Sequence, residues 1–375
     1  MALSRSRSIC LLPHCGYLSE TSRMLAIRQA LLARGVDVCL ATHGGTHERL
    51  LQQLGVPYEI VGPRLDDSRS RRMVASGPGI GPRGQSMWSD DEIRRYVRAD
   101  ADFFRERAVA IAVTGFTLTA LLSTRLAGIP LACEHAGAFV PPMWERSLID
   151  APLVSPFPFA GRLPSRAQRW LANVGTNRTA MHCGGFNRVA AEFNVEGVPS
   201  FAQLLLGDVT IVTEIGAVLG IAADELEAWR PTRPGYRAST RLHAGGPIHA
   251  ELDLPVPEPV EAFLSQPGPV VYVAITSSQD DAVRAVVHAL RPSGVRILVA
   301  GTVHDLSDLN SPTVMVAGVL PSHRVMPRVD IAITAGGQGS VQCAMASGTP
   351  AVVLPLHPEQ DLNGSLIERL GAGRG

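Results

Sequence analysis

The sequence predicts an α/β protein made of two halves, each a parallel sheet flanked by helices. Three observations carry that expectation. Short apolar runs alternate with helical patterns over 8–61 and again over 270–354, which implies β-α-β units with right-handed crossovers. Between them, 231–269 is rich in Pro and Gly and weak in periodicity, with Pro255-Val256-Pro257-Glu258-Pro259 in its middle, the composition of a linker. At 375 residues the chain is too long for one ordinary domain and suits two. The expected division is 1–230, a linker over 231–269, and 270–375.

In the first half, 8–12 reads as a strand and 21–33 as a helix with Met24, Ile27 and Leu31 along one face and Gly35 beyond its end. Strands at 36–41 and 58–61 flank a short helix over 47–54. From 64 to 89 the pattern dissolves into Arg, Ser, Gly and Pro. Gly79-Ile80-Gly81-Pro82-Arg83-Gly84 matches G-x-G-x-x-G by letter, but no strand precedes it and its flanking prolines lack the N–H groups of a phosphate cradle. A mobile surface loop is expected there. A strand over 109–113, a helix over 118–126 and a strand over 131–133 lead into Glu134-His135-Ala136-Gly137. The stretch 140–206 is helical and irregular, and Trp144, Phe157, Phe159, Trp170 and Phe186 suit either an apolar pocket or ordinary packing. A further strand is expected over 206–212.

The second half starts with a strand over 270–275, the turn Thr276-Ser277-Ser278 and a helix over 279–290, followed by strands at 295–300, 314–316 and 331–334. The hydroxyls of that turn suit either a phosphate or the cap of the helix. Then comes TAGGQGSVQCAMASGTPAVVLPLHPEQDLNGSLIERLG, from Thr334 to Gly371. A strand ends at Thr334, a glycine turn runs from Ala335 to Ser340, and a helix follows. The opening N–H groups of such a helix have no intrahelical partner and its dipole favours an anion, so a phosphate fits. Gly348-Thr349-Pro350 ends the helix, 351–354 is a buried strand, and Glu359-Gln360-Asp361-Leu362-Asn363 follows Pro355. Carboxylates and amides past the carboxyl end of a strand suit a polyhydroxylated ligand. Phosphate beside sugar suggests a nucleotide sugar.

This segment resembles the donor signature of the two-domain GT-B glycosyltransferases, the group that includes UDP-glucuronosyltransferases and macrolide glycosyltransferases. Their pattern is roughly H-G-G-x-G-T-x-x-E-A-x-x-x-G-x-P, then P-x-x-x-[DE]-Q-x-x-N, then L-G-x-G. Here Gly336, Gly337, Gly339, Ser340, Ala344, Gly348, Pro350, Pro355, Glu359, Gln360, Asn363, Gly371 and Gly373 supply it. The resemblance implies two Rossmann-like domains with parallel sheets facing across a cleft, the first binding acceptor and the second nucleotide sugar. It also implies donor contacts from Thr276, Ser277, Ser278, Gly336, Gly337, Gln338, Gly339, Ser340, Glu359, Gln360 and Asn363. Ala335 stands where the family has a phosphate-binding His, and Cys343 where it has a ribose-binding Glu. Leu320-Pro321-Ser322-His323 matches the base-binding turn only in part. Relatives continue past the L-G-x-G element, whereas Gly375 follows it directly, so a truncated second domain is one expectation.

Composition excludes several other classes. Arg and acidic residues balance at 34 each, so no global field draws the chain to nucleic acid or an anionic membrane. The absence of Lys removes P-loop and Schiff-base lysine chemistry. Six cysteines without a C-x-x-C argue against a disulfide framework or zinc site. His43 and His47 are four apart but span Gly44-Gly45 and lack the Glu of H-E-x-x-H. No run is long enough to span a bilayer and no leader h-region opens the chain, so the cytoplasm is the expected compartment.

Transfer with inversion needs a base for the acceptor hydroxyl. The family places it after the first strand, commonly in G-H-x-x-[RP]; here Glu20 falls at that His, and His14 lies a few residues earlier. Both stay open as base, and Glu20 has the further reading of a carboxylate favoured by a helix N-terminus. His135 is expected on the acceptor side. The resulting expectation is an inverting hexosyltransferase that uses a UDP- or dTDP-sugar as substrate and a small hydrophobic acceptor, with no cofactor and no metal. A weak homodimer is compatible with it. The alternatives are a catalytically silent homologue that binds nucleotide sugar or a partner protein, and a nucleotide-sugar epimerase on the same fold.

Overall fold

The computed structural model describes residues 8–75, 88–135, 137–151, 160–180, 182–232, 235–252, 254–275, 280–301 and 305–375. Two compact units form, one from Met1–Ile149 with Arg169–Ala250, the other from Asp150–Gln168 with Glu251–Gly375.

The first unit is built on seven strands: β1 (Ser8–Leu11), β2 (Val38–Thr42), β3 (Glu59–Ile60), β4 (Val109–Thr114), β5 (Leu131–His135), β6 (Val209–Val212) and β7 (Arg241–Ala244). Their spatial order is β3-β2-β1-β4-β5-β6-β7, and every pairing is parallel. Side chains alternate across the sheet. Cys10 and Leu12 enter one core with Ala112, Leu122 and Phe186, while Leu11 enters the other with Met24, Leu40 and Val113. Each fully buried Leu or Val contributes about 1.5–3 kcal/mol, so covering both faces holds the sheet. The chain reverses its direction of winding between β1 and β4, and in such sheets ligands bind beyond the carboxyl ends of the strands at that reversal. The residues there are His14 to Glu20 after β1 and Gly115 to Thr117 after β4.

The second unit carries β8 (Val270–Ala274), β9 (Arg296–Ala300), β10 (Val314–Ala317), β11 (Ile331–Thr334), β12 (Ala351–Val353) and β13 (Gly373–Arg374). All are parallel, in the order β10-β9-β8-β11-β12-β13. Val270, Tyr272 and Ala274 face one core, and Val271, Val273 and Ile275 the other. Here the winding reverses between β8 and β11, which brings Ala335 to Gly337 to the switch point.

Three expectations change. The stretch 231–269, read as linker, holds β7 and the helix Glu258–Leu264. Four residues are too few to show a period, so β7 forms by pairing with β6 at the sheet edge, Val209↔Arg241 through Val212↔Ala244. Its prolines mislead because Pro257 precedes the helix and Pro259 lies in its first turn, where no intrahelical N–H is lost. The stretch 64–89 begins with the helix Asp67–Ala75, while the G-x-G-x-x-G match at 79–84 lies outside the described residues. Finally, a helix Asp90–Glu106 went unread; its signal is the Ser89–Glu92 capping box, in which the Ser89 hydroxyl accepts from the Glu92 N–H and the Glu92 carboxylate from the Ser89 N–H.

Candidate active site

Glu20 lies inside the first turn of the helix Leu18–Leu32, which starts earlier than its apolar face suggests, and not on a loop. Its side chain is 1% exposed. One oxygen, Oε1, accepts the N–H groups of Gly115 at 3.1 Å and Phe116 at 2.7 Å, so the carboxylate crosses the switch point from β1 to β4. The other, Oε2, is buried and has no hydrogen-bond partner among the described residues. Burial lifts the carboxyl from 4.5 to about 7; the Phe116 N–H opposes the rise, Glu134 adds to it, and Arg23 lowers it.

His14 is buried at the end of β1 among the rings of Tyr17, Trp88 and Phe116, at centroid separations of 5.4, 6.1 and 6.4 Å. Its Nδ1 accepts the Gly16 N–H at 3.2 Å. The proton of the neutral ring therefore sits on Nε2, an atom that is buried with no partner among the described residues. Burial, helped by His43, lowers its pKa to about 4. A neutral ring with Nε2–H donates a hydrogen bond, whereas Glu20 Oε2 accepts one.

Behind Glu20 sits a pair that sequence reasoning missed. The Arg23 Nε donates to both Oε1 and Oε2 of Glu134 at 2.8 Å, with Glu134 fully buried. The signal for Arg23 was its place one turn after Glu20; β5 was read as ending at 133, which left Glu134 in a turn. His135 ends β5, and its side chain lies outside the described residues. His43 faces other groups: its Nδ1 bonds the Val61 carbonyl at 2.9 Å, and its Nε2 lies 3.4 Å from Asp100.

In the second unit the glycine turn and the Gln338–Ser347 helix form as expected, with Gly337 as N-cap and no side chain capping the helix. The glycines differ in what demands them. Gly336 has φ +85°, and a Cβ there would lie 2.5 Å from Val353 Cγ1 and 2.7 Å from the Gln360 carbonyl oxygen. Gly337 and Gly339 would meet nothing within 4 Å, so open space faces both. Among the described residues, no protein neighbour accounts for their missing side chains. Ser340 follows in the same first turn.

Glu359, Gln360 and Asn363 lie on the helix Pro358–Arg369. Asn363 Nδ2 donates to the Gly336 carbonyl at 2.9 Å and to Glu359 Oε1 at 2.8 Å, tying this helix to the glycine turn. Gln360 is 5% exposed and its Oε1 accepts the Leu356 N–H at 2.8 Å. The expected donor residues Gly336 to Ser340, Glu359, Gln360 and Asn363 thus come together in one corner, while Thr276, Ser277 and Ser278 lie outside the described residues. No group of three metal-ligating side chains occurs among the described residues. Nor is any described helix long and apolar enough to cross a membrane.

Two parallel sheets, each reversing its winding at its middle, make up the chain, and solved glycosyltransferase structures align with nearly all of it. The chain has the GT-B fold of the nucleotide-sugar glycosyltransferases. No protein-family model matches it. It is 25% identical to Glycosyltransferase GtfE of Amycolatopsis orientalis over 381 residues, covering 97% of this chain and 84% of that protein. It is 24% identical to a PGL/p-HBAD biosynthesis glycosyltransferase of Mycobacterium tuberculosis over 299 residues, 77% of this chain, and the chain spans 64% of the length of that relative. Among solved structures, UGT71G1 of Medicago truncatula, complexed with UDP-glucose, aligns with a TM-score of 0.61 at 14% identity, covering 100% of this chain and 86% of that one.

Proposed function

We propose that this GT-B chain is an inverting, metal-independent glycosyltransferase that moves a hexose from a UDP- or dTDP-sugar to a small hydrophobic acceptor. The observation that carries the reading is Glu20: a buried carboxylate at a switch point, with one oxygen fixed by two backbone N–H groups and the other without a partner among the described residues. A base held near neutrality is suited to take a hydroxyl proton at physiological pH. The names of the relatives and the UDP-glucose of the Medicago neighbour support the donor class. The rings of Tyr17, Trp88 and Phe116 around His14 support an apolar acceptor.

The acceptor belongs to the first unit, Met1–Ile149 with Arg169–Ala250, and the donor to the second, which includes Glu251–Gly375. The acceptor hydroxyl donates to Glu20 Oε2 while its oxygen accepts from His14 Nε2–H. As the acceptor oxygen forms its bond to the anomeric carbon, its proton passes to Glu20. The bond from that carbon to the diphosphate breaks, and its electron pair leaves with the nucleoside diphosphate. The N-terminus of the Gln338–Ser347 helix stabilises the departing charge, and Gly337 and Gly339 let the phosphates reach the backbone. Glu359 and the amide nitrogen of Gln360 bind sugar hydroxyls, and Asn363 holds the turn in place.

The direct test is nucleoside-diphosphate release with a panel of UDP- and dTDP-sugars and aromatic or terpenoid alcohols, with Glu20→Gln and Gln360→Ala alongside. Turnover with wild type and its loss in Glu20→Gln is the expected result; full activity in both variants removes the site assignment. A silent, donor-binding homologue is the second reading, favoured by Ala335 and Cys343 in place of an imidazole and a carboxylate. Each such lost charged bond costs about 1.5–3 kcal/mol. Tight donor binding by calorimetry without turnover on any acceptor supports that reading.

A further inference from the structure

Gly115 separates two buried carboxylates. A Cβ built on it would lie 2.6 Å from Glu134 Oε1 and 3.2 Å from Glu20 Cγ, so only a glycine admits both groups to the same turn. The sheet sets this up. Thr114 pairs with Cys133 in the β4–β5 ladder, so Glu134 is carried level with Gly115, whose own N–H holds Glu20. Arg23, one helical turn after Glu20, closes the arrangement by donating to both Glu134 oxygens.

We propose that Glu134, clamped by Arg23 across Gly115 from Glu20, is a positioning residue that sets when Glu20 carries its negative charge. This rests on Glu20 being the base of the transfer reaction. The other titratable groups around Glu20 are His14, Cys15 and Tyr17 on the chain after β1 and Cys133 on β5. Burial keeps all four uncharged near neutral pH, lowering the histidine and raising the two thiols and the phenol. Glu134 and Arg23 are therefore the charges that Glu20 feels most directly, with Glu134 pushing its carboxyl up and Arg23 pulling it down. Burial raises the Glu134 carboxyl as well, and the Arg23 guanidinium that clamps it opposes that rise. Removing one member leaves the other uncompensated at short range in a buried setting, where a single neighbouring charge moves a carboxyl by roughly one to three pH units.

The two partners therefore move the limb in opposite directions, whereas a loss of packing alone lowers turnover and leaves the limb in place. The experiment is the pH dependence of kcat/KM for wild type, Glu134→Gln, Arg23→Gln, Arg23→Lys and Glu20→Gln, each checked for folding by circular dichroism. The acid limb is expected to move down by about one unit or more in Glu134→Gln, to move up in Arg23→Gln, and to return toward wild type in Arg23→Lys. If either neutral variant fails to fold, carboxyl-carbon NMR titration of Glu20 in the remaining variants reads the same shift without turnover. Limbs that stay in place in both neutral variants, while Glu20→Gln loses its limb, overturn the role of Glu134 and leave Glu20 as base. Full activity in Glu20→Gln overturns the base assignment itself.

Discussion

Glu20 Oε1 accepts the Phe116 N–H at 2.7 Å, linking the first helix of the chain to the turn after β4, 96 residues away. That bond fixes which carboxylate oxygen is held and which has no partner among the described residues. It also puts the base candidate beside Phe116, whose ring packs against Tyr17 at 5.3 Å.

Glu20→Gln keeps the shape and the two backbone bonds but cannot take a proton. Its kcat is expected to fall by about 10²–10⁴-fold, the usual range for a lost general base. Donor affinity, measured by calorimetry with the nucleoside diphosphate, is expected to stay within about twofold, because Glu20 and the glycine turn lie in different units.

The two kinds of glycine separate by substitution. Gly336→Ala places a Cβ against Val353 and the Gln360 backbone at a positive φ, and a loss of roughly 2–4 kcal/mol of stability is expected in urea denaturation. Gly337→Ala meets no protein atom and has φ −59°. It is expected to fold normally and to raise the donor KM by about tenfold or more, as the loss of one charge-assisted bond would. Unchanged donor KM in Gly337→Ala argues that no ligand uses this turn.

Asn363→Ala removes the donor to the Gly336 carbonyl and leaves a buried oxygen unbonded. The expected cost is about 1–3 kcal/mol, read as a lower melting temperature, together with weaker donor binding because the glycine turn loses its tie to the neighbouring helix.

Stability should also report on Glu20. Burial lifts its carboxyl from the ordinary 4.5 to about 7 in the folded chain, so the folded state binds more protons than the unfolded state between those limits. The contribution is fully present below 4.5 and is lost as pH rises through about 7. The magnitude is on the order of 3 kcal/mol, from 1.36 kcal/mol per unit. Glu20→Gln is expected to melt higher than wild type at pH 8 and at nearly the same temperature at pH 4, measured by calorimetry in matched salt.

The second sheet and its glycine turn were legible because a buried parallel strand, a glycine turn and a helix lie consecutively in the chain, and local pattern suffices to find them. β7 and the Asp90–Glu106 helix were not: the first is four residues stabilised by its neighbour β6, and the second follows a stretch whose composition suggests loop. Glu20 and His14 are both candidates from their place after β1 alone, and what separates their surroundings lies elsewhere in the chain. The tautomer of His14 depends on the Gly16 N–H two residues away, and the burial of Glu20 on a turn near residue 115. Glu134 was invisible for the same reason, since its importance comes from register between β4 and β5 and from Arg23, 111 residues earlier.

The pH profile of kcat/KM tests the central claim most directly. A base at Glu20 predicts activity that climbs with pH through an apparent pKa near 7 and a residual rate in Glu20→Gln that is flat over the same range. An acid limb of unchanged position and height in Glu20→Gln would contradict it.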